Sequence, residues 1–129
     1  MEKIEITSRP DIKLLVHTFY GKIRLHPVLG PIFNSIVTDW PTHLDLLTDF
    51  WETQLLFERK YRGNPLAVHQ EVDEKMDHSM KSEHFGIWLN LWFETLDELF
   101  QGDTAQIAKN RARKMSTMLY LNIFENRKK

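Results

Sequence analysis

Apolar residues recur along the chain with the period of an α-helix, and no β-hairpin pattern interrupts them. The first stripe consists of Ile12, Leu15, Phe19 and Ile23. Ser8 is a candidate helix cap before this stripe, and Asp11 lies where an acid can reach back to the cap. The helix is predicted to end at His26, because the residue before a proline avoids the helical region.

The middle of the chain predicts a short helical turn and then a long helix. The run Leu29-Gly30-Pro31 indicates a break, and a helical turn is expected over 31–33. Asp39 is a suitable cap for the long helix, which is predicted to end near 58–60. One of its two apolar stripes consists of Leu44, Leu47, Trp51 and Leu55. The other consists of His43, Leu47 and Phe50.

The second half of the chain predicts a loop over 61–65, a short helix carrying His69, and two further long helices. Ser82 is the expected cap of the first long helix. Its apolar stripe consists of Phe85, Trp88, Leu89, Trp92, Leu96, Leu99 and Phe100. Gly102 and Asp103 separate it from the last helix. The inward positions of the last helix are Ala108, Ala112, Met115, Leu119 and Ile123. These elements predict an all-α fold.

Composition narrows the class of protein. A chain of 129 residues is expected to form one domain over 1–129. Its net charge of -1 lacks the basic footprint of a nucleic-acid binder. The absence of cysteine excludes thiolate metal sites and cysteine nucleophiles. No segment approaches the roughly 20 apolar residues that span a bilayer. We therefore expect a soluble, cytoplasmic protein, and a monomer.

With no cysteine in the chain, the histidines are the main candidates for metal ligands. None of the six has a glutamate three residues before it, which argues against a di-iron carboxylate bundle. Zinc-hydrolase and phosphate-loop motifs are also absent. An apolar slot with one imidazole is what haem requires, and His69, Tyr20, His43 and Trp88 are candidates for it. Each also has an ordinary interpretation, as a helix-end histidine or a core aromatic residue.

Several motifs in order along nearly the whole chain resemble group III truncated haemoglobins. These motifs are Phe19-Tyr20-x-Lys22-Ile23-Arg24, Leu29-Gly30-Pro31-Ile32-Phe33, Trp40-x-x-His43, Phe50-Trp51, Tyr61-x-Gly63-x-Pro65-x-x-x-His69 and Phe85-x-x-Trp88-Leu89-x-Leu91. The resemblance implies a two-over-two helical sandwich around haem b. It implies His69 as the proximal iron ligand, and Tyr20, His43 and Trp88 on the distal side. The sequence also offers His78 and His84 as alternative iron ligands. The other implied haem-binding residues are Phe33, Leu47, Phe50, Tyr61, Arg62 and Phe85.

The resemblance also implies O₂, NO, CO or peroxide as ligands. Two hydrogen-bond donors, Tyr20 and Trp88, would hold O₂ firmly, which suits NO detoxification or peroxidase-like chemistry, with a reductase as a further partner. Simple O₂ binding, transport or sensing is the alternative. His43 could bind the iron, gate the pocket or donate a proton. A haem-free interaction module is the rival class, and the sequence leaves open whether the protein is an enzyme.

Overall fold

The computed structural model describes residues 3–56 and 82–127, with side chains from 3–56 and 83–121. Five helices make up these two ranges: α1 (Arg9–Leu25), α2 (Leu29–Ile36), α3 (Trp40–Leu56), α4 (Ser82–Leu99) and α5 (Asp103–Arg127). β-Pairing within the described ranges is limited to an isolated bridge between Ile4 and Phe100. The predicted all-α class is confirmed. None of the five helices has both the length and the apolar character needed to cross a bilayer.

Helix α1 starts where the sequence predicts. Ser8 is its N-cap residue and has extended backbone, but the Ser8 side chain makes no capping hydrogen bond to the backbone. Its hydroxyl instead donates to the Asp11 carboxylate at 3.3 Å, and the Thr7 backbone N–H donates to the same oxygen at 3.0 Å. A carboxylate is the stronger acceptor, which explains why it recruits the hydroxyl as a donor. The predicted end of α1 is confirmed, because His26 has extended backbone.

The predicted break at Leu29-Gly30-Pro31 is wrong, because α2 begins at Leu29. Proline fits the first turn of a helix, where its missing N–H would have no partner within the helix. Glycine at position 30 does not end a helix. It allows the backbones of two helices to lie close together. A Cβ atom on Gly30 would lie 2.6 Å from the carbonyl oxygen of Arg24. The glycine therefore lets α2 start directly against the end of α1.

The predicted cap of α3 is confirmed. The backbone N–H of Thr42 donates to the Asp39 carboxylate at 3.2 Å, and the Thr42 hydroxyl donates to its other oxygen at 2.7 Å. These two hydrogen bonds lower the pKa of Asp39. A charged cap also suits the positive end of the helix dipole. The cap fixes the residue at which α3 begins, and this sets which α3 side chains face the cavity.

Helix α1 packs against α2, α3 and α4, and α5 packs against α4 and α3. Trp51 and Trp92 stack at the centre of this arrangement, with ring centroids 4.5 Å apart. The Trp92 indole N–H donates to the Ala108 carbonyl at 3.2 Å, and this hydrogen bond links α4 to α5. Burying each large aromatic side chain stabilises the fold by about 1.5–3 kcal/mol.

Candidate functional site

A cavity of about 490 Å³ lies among the helices, within the usual volume range of small-molecule sites. Helices α2, α3, α4 and α5 form most of its wall, and α1 contributes Tyr20. The wall is mainly apolar. Its described residues are Tyr20, Leu29, Ile32, Phe33, Ile36, Val37, Thr38, Asp39, Thr42, His43, Leu46, Leu47, Phe50, Trp51, His84, Phe85, Trp88, Met115, Ser116 and Leu119.

The Tyr20 phenol and the Trp88 indole lie together in this wall, within reach of a hydrogen bond. Because an indole N–H can only donate, the Tyr20 oxygen is the acceptor and its own proton is available for another partner. Tyr20 is 5% exposed, and its burial raises the pKa to about 12, although the Trp88 hydrogen bond acts in the opposite direction. Tyr20 therefore stays a neutral hydrogen-bond donor at neutral pH.

Three rings from α2 and α3 surround Tyr20. Its ring centroid is 6.1 Å from that of Phe33, 6.1 Å from that of Trp40 and 6.2 Å from that of His43. The His43 ring meets Tyr20 and Trp40 edge-on. These contacts fix the orientation of the phenol, which makes Tyr20 a preorganised donor.

The two predicted stripes of α3 share Leu47, and together they border both the cavity and the core. His43, Leu47 and Phe50 all line the cavity. Leu55 from the other stripe is buried in the core, and Trp51 is buried while also reaching the cavity wall. A helix with one apolar face toward the core and another toward a cavity can hold a ligand without losing its packing.

The structure brings together seven of the predicted site residues in one cavity: Tyr20, Phe33, His43, Leu47, Phe50, Phe85 and Trp88. His69, Tyr61 and Arg62 lie outside the described residues, as does the alternative ligand His78. The second alternative, His84, lies on the first turn of α4 and lines the cavity. Two imidazoles, His43 and His84, therefore face the same apolar space.

Sequence reasoning missed part of the wall. Ile32 and Ile36 have the i, i+4 spacing of one helix face, but the predicted helical turn over 31–33 was too short to include Ile36. Leu46 and Ser116 gave no signal, because neither belongs to a predicted stripe. Met115 and Leu119 were predicted as core positions of the last helix, and they border the cavity.

The cavity suits a flat, largely apolar cofactor. Its wall offers aromatic and aliphatic surface on several sides, and the hydroxyl of Tyr20 is a donor for a small ligand. Haem needs this kind of surroundings, namely an apolar slot with a hydrogen-bond donor on the ligand side. The residues present therefore fit haem.

Comparisons with known proteins agree with this description. A search of protein-family models finds no match. The chain is 31% identical over 126 residues to a group 3 truncated haemoglobin of Campylobacter jejuni, covering 92% of this chain and 95% of that protein. The crystal structure of a group III truncated haemoglobin from Campylobacter jejuni superposes with a TM-score of 0.81 at 30% identity, covering 92% of both chains. The two-over-two globin fold predicted from the motifs is thus confirmed, and the chain belongs to the group III truncated haemoglobins.

Proposed function

We propose that the chain binds haem b in the cavity and holds a diatomic ligand, O₂, NO or CO, beside Tyr20. The observation that carries this proposal is an apolar cavity of about 490 Å³ whose wall brings together Tyr20, His43 and Trp88. Haem supplies an iron with one coordination position open to such a ligand. Membership of the truncated haemoglobins supports the same conclusion.

The residues proposed to hold the cofactor come from both halves of the chain. Phe33, Leu47, Phe50 and Phe85 offer apolar surface in the cavity wall. His69 is the proposed iron ligand, on the strength of its motif. Two further proposed contacts are Tyr61 and Arg62. Apolar walls exclude water, which strengthens any hydrogen bond made inside the cavity.

Tyr20 is the proposed donor to the bound ligand. Its hydroxyl is neutral and buried, and its oxygen already accepts the Trp88 N–H, so the phenolic proton is the group left to donate. A hydrogen bond to a ligand with partial negative charge contributes about 1.5–3 kcal/mol. The sequence predicts Trp88 as a second donor to the ligand, but its hydrogen bond to Tyr20 favours a different role. Trp88 positions the Tyr20 phenol and acts on the ligand through it.

A ligand held by such a donor leaves slowly, which favours chemistry on the ligand over delivery of O₂. We therefore propose that the site oxidises NO to nitrate, with both added oxygen atoms coming from O₂ and a reductase supplying the one electron that each turnover would need. Peroxidase-like chemistry is the second candidate, because the His43 imidazole lies in the cavity wall and imidazole is the side chain most often used for proton transfer in catalysis. Nitrate yield per NO consumed, compared with the rate of peroxide consumption, distinguishes the two reactions.

An absorption spectrum of the purified protein tests the cofactor proposal. Wild-type protein from haem-supplemented cells is expected to show a strong Soret band, and His69→Ala is expected to lose most of it. The matched control is His84→Ala, which is expected to keep the band. A folded but colourless wild type would refute the haem proposal. A band lost only in His84→Ala would transfer the role of iron ligand to His84.

A further inference from the structure

All four tryptophans of the chain and Tyr20 form one continuous series of neighbouring rings. Trp51 and Trp92 stack at 4.5 Å between centroids, and Trp92 and Trp88 are nearly parallel at 5.7 Å. Trp88 hydrogen-bonds to Tyr20, and Tyr20 lies 6.1 Å from Trp40. Each ring distance falls within the range of direct aromatic contact. We call these five residues the aromatic series.

Indole and phenol are the rings in proteins that lose one electron most readily, and rings in contact exchange an electron much faster than distant rings. The two ends of the series differ in their surroundings. Trp51 is buried at 1% exposure, whereas Trp40 is 9% exposed with the Arg24 guanidinium 4.6 Å from its ring centroid. We propose that the aromatic series is an electron relay. In this relay an oxidised indole is reduced by an electron from Tyr20, and Tyr20 becomes the final site of oxidation.

The transfer has a balanced form. A one-electron oxidant, such as a radical formed from peroxide, takes an electron from an indole and is reduced. Tyr20 then returns an electron to that indole, and its phenolic proton leaves to a base in the cavity. The indole is restored, and Tyr20 becomes a neutral phenoxyl radical. The imidazole of His43, with its centroid 6.2 Å from that of Tyr20, is a base of suitable chemistry on the cavity side.

Burial decides where the oxidising equivalent rests. A positive charge on the buried Trp92–Trp51 pair is costly, because a medium of low dielectric constant solvates ions poorly. The Trp92 N–H donates to a backbone carbonyl, which is too weak a base to accept a proton. The phenoxyl radical of Tyr20 carries no charge and keeps the hydrogen bond from Trp88. The Arg24 guanidinium above Trp40 disfavours a second positive charge on that indole. The oxidation is therefore expected to pass from Trp40 to Tyr20.

Pulse radiolysis tests the relay on the full chain as purified, with azide radicals as the oxidant. Azide radicals oxidise indoles, and the tryptophanyl and tyrosyl radicals have distinct absorption bands. Wild type is expected to convert tryptophanyl into tyrosyl radical at a rate independent of protein concentration. Tyr20→Phe is expected to lose this conversion, and Tyr120→Phe, the matched control, is expected to keep it.

The double variant Trp40→Phe/Trp88→Phe removes both indoles next to Tyr20 and retains a ring at each position. Its remaining tryptophanyl radicals are expected to form and persist without the fast tyrosyl phase. If the double variant does not fold, each single variant is expected to lose part of that phase. A conversion that survives in Tyr20→Phe, or whose rate rises with protein concentration, would overturn the relay. Because this probe needs no haem, a colourless protein refutes the haem proposal and leaves the relay testable.

Discussion

Replacing Tyr20 and Trp88 by phenylalanine, singly and together, separates two ways in which this pair can act on a bound ligand. In one, both groups donate to the ligand. In the other, which the hydrogen bond between them favours, Tyr20 donates and Trp88 holds it in place. Phenylalanine keeps a ring at both positions, so the cavity wall is largely preserved.

The expected magnitudes follow from the hydrogen bonds lost. Tyr20→Phe removes a donor to a partly charged ligand, which is worth about 1.5–3 kcal/mol and accelerates O₂ release by about 10- to 150-fold. Trp88→Phe removes one neutral hydrogen bond that orients the phenol, which is worth about 0.5–1.5 kcal/mol and accelerates release by about 2- to 10-fold. Once Tyr20 is absent, Trp88 has no phenol to position.

Stopped-flow mixing of the oxygenated protein with CO measures the release rate of O₂. The double variant is expected to match Tyr20→Phe within about 0.5 kcal/mol, which makes the double-mutant cycle strongly non-additive. Tyr120→Phe serves as the control and is expected to release O₂ at the wild-type rate. If the two single effects multiply in the double variant, Trp88 donates to the ligand by itself and the positioning role is refuted.

Three further outcomes concern stability, and urea unfolding measures each of them. Burial raises the pKa of Tyr20 to about 12, above the ordinary value of 10.0. The contribution of neutral Tyr20 to the free energy of unfolding is therefore fully present below pH 10 and is lost as the pH rises toward 12. The loss is about 3 kcal/mol, and Tyr20→Phe is expected to flatten this alkaline decline. Gly30→Ala is expected to cost about 1–3 kcal/mol, because the new Cβ would meet the Arg24 carbonyl oxygen. Arg9→Ala is expected to cost about 1–2 kcal/mol, since it leaves the buried Glu52 carboxylate without its cation, and adding Glu52→Gln should restore part of the loss. Equal stability of Arg9→Ala and wild type would show that solvent compensates Glu52.

Helical periodicity and capping predicted most of the described fold correctly. The end of α1 before Pro27 and the Asp39 cap of α3 are both local effects, and a local pattern is sufficient to predict them. The prediction failed at Gly30, where glycine next to proline is a typical sign of a break. The glycine there serves the approach of α2 to the Arg24 carbonyl, and such an approach depends on tertiary structure.

The candidate site was predictable where its residues follow a stripe. His43, Leu47 and Phe50 share one face of α3, and all three line the cavity. The partner of Trp88 could not be predicted, because both a bound ligand and Tyr20 are suitable acceptors for an indole N–H. Only the packing of α1 against α4 shows that the indole lies within reach of the phenol.

The hydrophobic core and the candidate site share residues, and this explains how the site is held rigid. Phe19 and Tyr20 are neighbours on α1, and Phe19 meets Trp88 and Trp92 edge-on at 5.1 Å and 4.9 Å between centroids. The face of Trp88 is fixed by stacking on Trp92, while its N–H is fixed by the Tyr20 oxygen. An indole constrained in both ways cannot turn without disturbing the core. The orientation of the Tyr20 hydroxyl is therefore set during folding, before any ligand arrives, which is the condition for efficient electrostatic stabilisation of a bound ligand.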